Sequence, residues 1–272
     1  MKYTTKKICI PTGERKLKLL ILSPKNKSTD RTGVLWIHGG GYVTGMAGMV
    51  HMSRAKNLVQ KFGAVVVSPE YRLAGQAPYP AALEDCHAAL VYLKEHAAEF
   101  GVRSDQIMVG GESAGGGLAA ALCMYEKDTD GVSVAFQMPL YPMIDCEDTE
   151  TSKDNHAPVW NTKLNHYGWK KYLAGLSGEI PCYASAARRK DYSGLPPAYT
   201  FVSTAEPFNA ETVTYIENLR AAGVPAEIDI YPGLYHAFDM LTPWRKVSKI
   251  AAECFDEQFL YAQKHYFAEQ RK

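Results

Sequence analysis

The sequence has no apolar run near the roughly 20 residues that a membrane span requires. Its N-terminus, 1–7, leads into only four apolar or small residues, 8–11, too few for the apolar region of a signal peptide. A cytoplasmic protein with no membrane partner is therefore expected. Charge of one sign is also missing: 30 basic residues face 29 acidic ones, for a net charge of +1. That balance gives no electrostatic footprint for nucleic acid or an anionic surface. The short basic run 188–190 reads as a solvated loop. Six cysteines are scattered with no C-x-x-C pair, which argues against a disulfide framework or a zinc site. No cofactor or metal is expected. There is no internal repeat and no low-complexity segment to suggest an array.

What is present is 272 residues, 46% of them hydrophobic, enough for one sizeable domain with a small attached cap. Apolar strands alternate with helical patterns. Strands are read at 16–23, 33–37, 63–68, 106–110, 132–140, 199–203 and 226–231. Helices are read at 48–61, 80–98, 116–124, from about 205 to 222, and 242–268. This rhythm indicates a mainly parallel sheet covered on both faces. The segment 145–195 breaks it. It is polar, rich in Asn, His, Trp and Tyr, with a helix expected at 162–174. An insertion of this kind reads as a cap over the strand ends, with 1–15 expected to add to it.

Gly111-Glu112-Ser113-Ala114-Gly115 lies between the strand at 106–110 and the helix at 116–124. A serine pinned between strand and helix by two glycines is the G-x-S-x-G nucleophile pattern. Acyl transfer by a serine needs a base, a group that orients the base, and donors for an oxyanion. In an open parallel sheet these belong at the carboxyl ends of strands. Of the eight histidines, only His236 follows the last core strand in a loop. For the orienting acid, Glu206 ends the strand at 199–203. Glu211, about 7 Å further along the following helix, and Asp239 stand behind it. His38-Gly39-Gly40-Gly41 at a strand exit offers amides unobstructed by side chains, so Gly40, Gly41 and Ala114 are the expected oxyanion donors. A phosphate loop fits poorly, because the run lacks G-x-G-x-x-G spacing and a following Lys-Ser/Thr.

The stretches HGGGYVTG (38–45), EYRLAGQAPYPAALEDC (70–86), GESAGGG (111–117), DYSGLPPAYTFVSTAEPF (191–208) and YPGLYHAF (231–238) resemble the hormone-sensitive lipase family of α/β-hydrolases, in its bacterial esterase branch. The resemblance runs from about residue 33 to the C-terminus. It implies an α/β-hydrolase fold and a cofactor-free carboxylic ester hydrolase, with Ser113, Glu206 and His236 as its triad. Two departures stand out. The family usually has Asp where Glu206 stands, so this acid reaches one methylene further. Only 37 residues precede His38, so a reduced cap built mainly from 145–195 is expected. A shallow site follows, suited to short acyl groups from acetyl to butyryl and tolerant of a bulky or polar alcohol. Tyr42, Glu112, Trp160 and Tyr167 are the expected substrate contacts, with Trp169 beside them. An amide or peptide hydrolase with the same triad is the nearest alternative. A non-catalytic receptor on this fold is another, opposed by the intact serine, acid and histidine. A homodimer is compatible with the sequence.

Overall fold

A computed structural model describes residues 2–271. Eight strands form one sheet: β1 (Tyr3–Thr12), β2 (Arg15–Pro24), β3 (Arg31–Ile37), β4 (Val65–Pro69), β5 (Val102–Glu112), β6 (Phe136–Leu140), β7 (Ala198–Ser203) and β8 (Ala226–Tyr231). Their spatial order is β1-β2-β4-β3-β5-β6-β7-β8. From β4 through β8 the neighbours are parallel, while β1 and β2 run antiparallel at one edge. This is the mainly parallel sheet of the α/β-hydrolase fold. Among the described residues no helix is long and apolar enough to cross a membrane.

Strand periodicity explains why both faces are covered. Successive side chains point to opposite faces. Leu35, Ile37, Val65, Val67, Ile107 and Val109 enter one core, with α2 (Ala81–Glu95) and α3 (Ala114–Asp128) against it. Val34, Trp36, Val66 and Met108 enter the other, under α1 (Arg54–Phe62) and the C-terminal helix. β3 and β4 are buried at every position, and their stretches 33–37 and 65–67 read as continuous apolar runs.

Several boundaries differ from the sequence-based expectation. Residues 3–12, expected to add to the cap, form the outermost strand, with Ile10 opposite Leu17 and both in the core. The helix expected at 48–61 is broken: a 3₁₀ turn at Ala47–His51 ends before α1, whose N-cap Ser53 accepts from the Ala55 amide at 3.2 Å. Strand β6 starts only at Phe136, because the Val132 amide is taken by Glu126 Oε2 at 2.7 Å. In the 145–195 insertion, α4 (Thr162–Tyr172) is capped by Asn161, which accepts from Leu164 N. The basic run 188–190 is not simply solvated, since Arg189 makes a forked pair with Asp128 of α3 and Arg188 reaches Asp145 at 2.6 Å. Beyond the insertion lie α5 (Asn209–Ala221), the short α6 (Phe238–Leu241) and α7 (Lys246–His265), the C-terminal helix, shorter than the 242–268 expected.

Candidate active site

Ser113 occupies the turn from β5 into α3 with φ +57° and ψ −121°, a conformation that L side chains rarely adopt. The crossing is too tight for side chains around it: a Cβ on Gly115 would lie 2.1 Å from the Ile37 carbonyl oxygen. Backbone bonds to the next strand fix the turn. Ser113 N donates to Leu140 O and Met143 N donates to Ser113 O, each at 3.0 Å.

The loops after β7 and β8 bring the other two groups to this serine. His236 Nε2 lies 2.9 Å from Ser113 Oγ, and its Nδ1 is hydrogen-bonded to Glu206 Oε2. All three side chains are buried, with Glu206 fully so. The extra methylene of Glu206 is accommodated by anchoring its other oxygen, which accepts from Ser203 N at 2.8 Å. Ser203 ties the two loops together as well, its hydroxyl bonding to both Leu234 O and Leu234 N. Phe208 stands edge-on to the His236 ring at 5.1 Å, and Tyr141 does the same from another side. A hydroxyl held to an imidazole held to a carboxylate can pass its proton inward and become a nucleophile.

The two weighed alternatives for the acid serve elsewhere. Glu211 accepts from Ile144 N at 2.7 Å and from Asp145 N at 3.2 Å, so it pins the chain that enters the insertion. Asp239 pairs with Arg54 Nε at 3.1 Å and accepts from Tyr141 Oη at 3.0 Å. This Arg54–Asp239–Tyr141 chain backs the histidine and went unseen in the sequence. Its partners are 185 positions apart, and no local spacing announces them.

The glycine loop after β3 turns on Gly40 O, which accepts from Val43 N and Thr44 N. Among the described residues, the Gly40 and Gly41 amides donate to no acceptor, and Ala114 N opens α3 without one. His38 bonds through Nδ1 to Gly39 O at 2.8 Å and stacks on Tyr71. Burial lowers its pKa.

Of the expected substrate contacts, Trp160 lies with its ring against Gly41 of this loop. A Cβ on Gly41 would meet the Trp160 ring at 2.0 Å, and Gly41 itself has φ +59°. Tyr42 is not free: it is buried, stacked on Tyr172 at 4.0 Å, with its hydroxyl donating to Met143 O. Trp169 packs into the same cluster. Tyr167 is half-exposed on α4, with Lys171 over its ring. Glu112 faces away from the serine. It follows Met108 and Gly110 along one face of β5 and accepts from Trp36 Nε1 at 2.8 Å. Burial pushes its carboxyl up to about 8. Among the described residues no three His, Cys, Asp or Glu side chains are grouped to hold a metal.

A family model described as the alpha/beta hydrolase fold matches residues 34–240. Esterase LipI of Mycobacterium tuberculosis is 34% identical over 212 residues, 75% of this chain and 65% of that protein. Carboxylesterase NlhH of the same species is 33% identical over 211 residues, 75% of this chain and 66% of that protein. The matched stretch thus spans just under two thirds of these curated relatives. Among solved structures, a bacterial heroin esterase superposes with TM-score 0.89 at 31% identity, covering 99% of this chain and 85% of that one. Esterase LipW from Mycobacterium marinum gives 0.87 at 28% identity, covering 96% and 82%. With the motifs, the sheet and these relatives in agreement, the chain belongs to the α/β-hydrolase family, on its hormone-sensitive-lipase-like branch.

Proposed function

We propose that the protein is a serine carboxylesterase acting on short acyl esters, acetyl to butyryl, through an acyl-enzyme. The observation that carries this reading is the Ser113–His236–Glu206 hydrogen-bonded chain, together with the Gly40, Gly41 and Ala114 amides, which donate to no acceptor among the described residues. Ser113 Oγ–H donates to His236 Nε2, which leaves the Nδ1 proton directed at Glu206. As the oxygen attacks the ester carbonyl, Nε2 takes its proton and Glu206 stabilises the imidazolium. The carbonyl oxygen becomes an anion held by the amides of Gly40, Gly41 and Ala114. His236 returns the proton to the departing alcohol, and water repeats the sequence on the acyl-enzyme. None of these steps calls on a cofactor.

The short-acyl preference is supported by Trp160 lying on Gly41, with Phe208 6.5 Å from it and edge-on to His236. A long chain kept out of this space forgoes about 0.8 kcal/mol for each methylene left in water. The names of the relatives support ester rather than amide substrates.

The test combines Ser113→Ala with kcat/KM on p-nitrophenyl esters of increasing acyl length. Ser113→Ala should fold, since alanine avoids the need for a partner, and lose nearly all turnover. The unsubstituted enzyme should show a burst of p-nitrophenol and a maximum at four carbons or fewer. Retained turnover in Ser113→Ala refutes the nucleophile. A maximum at ten carbons refutes the short-acyl reading alone.

A further inference from the structure

Five buried polar atoms in and around the glycine loop have no partner among the described residues: His38 Nε2, Trp160 Nε1, Asn165 Oδ1, Trp169 Nε1 and Glu211 Oε2. They come from the loop itself, the stretch before α4, α4 and α5. The six-membered edge of Trp160 lies on Gly41. Asn165 sits one turn before Gly168 on α4, where a Cβ would stand 2.8 Å from Gly41 O and 3.2 Å from Met143. Glu211 holds the amides of Ile144 and Asp145 with its other oxygen. A buried donor without an acceptor is costly, and an indole N–H can only donate. It calls for an oxygen that the protein itself does not supply.

A second, independent feature concerns how Trp160 is delivered. Val159 has φ +74°, and Trp160 N donates to Pro158 O at 2.9 Å, closing a three-residue turn. A β-branched residue in the left-handed region is an outlier, and this turn is the strained kind. Val159 is itself half-exposed, so its own burial does not explain the strain. What the turn achieves is to aim Trp160, nine-tenths buried, at Gly41 and Phe208.

We propose that Trp160 is a specificity-determining residue whose Nε1–H donates to a second oxygen carried by the substrate close to the scissile ester. The preferred substrates are then short esters bearing a hydroxy, alkoxy or oxo group rather than plain alkyl esters. The inference rests on the ester-hydrolase reading of Ser113. The acceptor oxygen can belong to the acyl part or to the alcohol part, and matched pairs separate the two sources.

The experiment compares the unsubstituted enzyme with Trp160→Phe, which keeps an aromatic ring and removes the donor. The acyl pair is p-nitrophenyl methoxyacetate against p-nitrophenyl butyrate. The alcohol pair is methoxyethyl acetate against n-butyl acetate. Each pair differs by one CH₂-to-O exchange, and intrinsic reactivity cancels in the ratio between enzymes. In one of the two pairs, Trp160→Phe should lower kcat/KM for the oxygen-bearing ester about fivefold to tenfold more than for its alkyl partner, the size expected of one neutral hydrogen bond. Equal losses on both members of both pairs, as a purely packing role would give, overturn the proposal. Stoichiometric labelling of Ser113 by a fluorophosphonate is measured on both enzymes. No labelling of either overturns the ester-hydrolase reading, whereas labelling of both with unchanged ratios overturns only the role of Trp160. Should Trp160→Phe fail to fold, product inhibition of the unsubstituted enzyme decides: methoxyacetate should compete better than butyrate, or methoxyethanol better than n-butanol. Inhibition by both oxygen-bearing products that is equal to or weaker than that of their alkyl partners overturns the proposal.

Discussion

Glu112→Gln tests the reading that this carboxyl is a buried cost of the fold and no part of the substrate site. The side chain is 4% exposed, and burial moves its pKa from 4.5 to about 8. Around it stand Trp36, which donates to Oε2 at 2.8 Å, Arg54, which favours its charge, and Asp239, which opposes it. The sign follows from proton counting. Between pH 4.5 and 8 the unfolded chain has released this proton while the folded chain retains it. Stability therefore falls as pH rises, at about 1.4 kcal/mol per pH unit for one such group. Across the window the loss is on the order of 5 kcal/mol. Glutamine keeps an acceptor for Trp36 Nε1 and never ionises, so that slope should vanish. Urea unfolding at about pH 5, 6.5 and 8 reads it directly. The two proteins should lie close together at the acid end, with the variant ahead by several kcal/mol at the alkaline end. Unfolding free energies that stay parallel to within about 1 kcal/mol over this range would refute the reasoning. The KM of the variant should stay within about twofold of the original, because the side chain lies on the sheet face away from Ser113.

The two acids near β7 should separate cleanly. Glu206→Ala should lower kcat by several orders of magnitude, by analogy with other triads, while Glu211→Ala should cost on the order of 1–3 kcal/mol of stability by freeing two buried amides. Equal kinetic losses, or the reverse ranking, would reassign them. Gly41→Ala should abolish activity, because its Cβ would enter the Trp160 ring and its φ of +59° suits glycine. Adding Trp160→Ala relieves the collision but not the φ, so turnover of p-nitrophenyl acetate should return only in part. Full activity of the single variant would show that the loop moves away from Trp160.

Much of this molecule is legible in one dimension because its signals are local. β8 at 226–231 is marked by alternation of apolar and acidic residues, and the helix before it closes at Gly223 with φ +76°. The grouping of Ser113, Glu206 and His236 follows once each is placed at a strand's carboxyl end. β1 is hard to read from sequence because Thr4, Lys6 and Lys7 make it look polar. It is an edge strand, and charged side chains suit an edge.

The substrate contacts were read less well, and the reason is geometric. Tyr42 beside the glycine loop and Trp169 in the insertion read as pocket walls from sequence, which gives no sign of which ring stacks on which. Tyr172, 130 positions from Tyr42, decides it by filling that space first. Glu112 was readable in principle. If β5 is carried two residues past Gly110, strict alternation puts position 112 with Met108, on the face away from the active-site core. The glycines at 110–111 end the strand from sequence, two residues before the structure does. The strained turn at Val159 left no trace in the sequence at all, since valine there advertises a strand. Its left-handed backbone is imposed by what surrounds Trp160. The positions that position-by-position reading misses are thus those where tertiary packing overrides local preference, as at Tyr42, Trp169 and Val159.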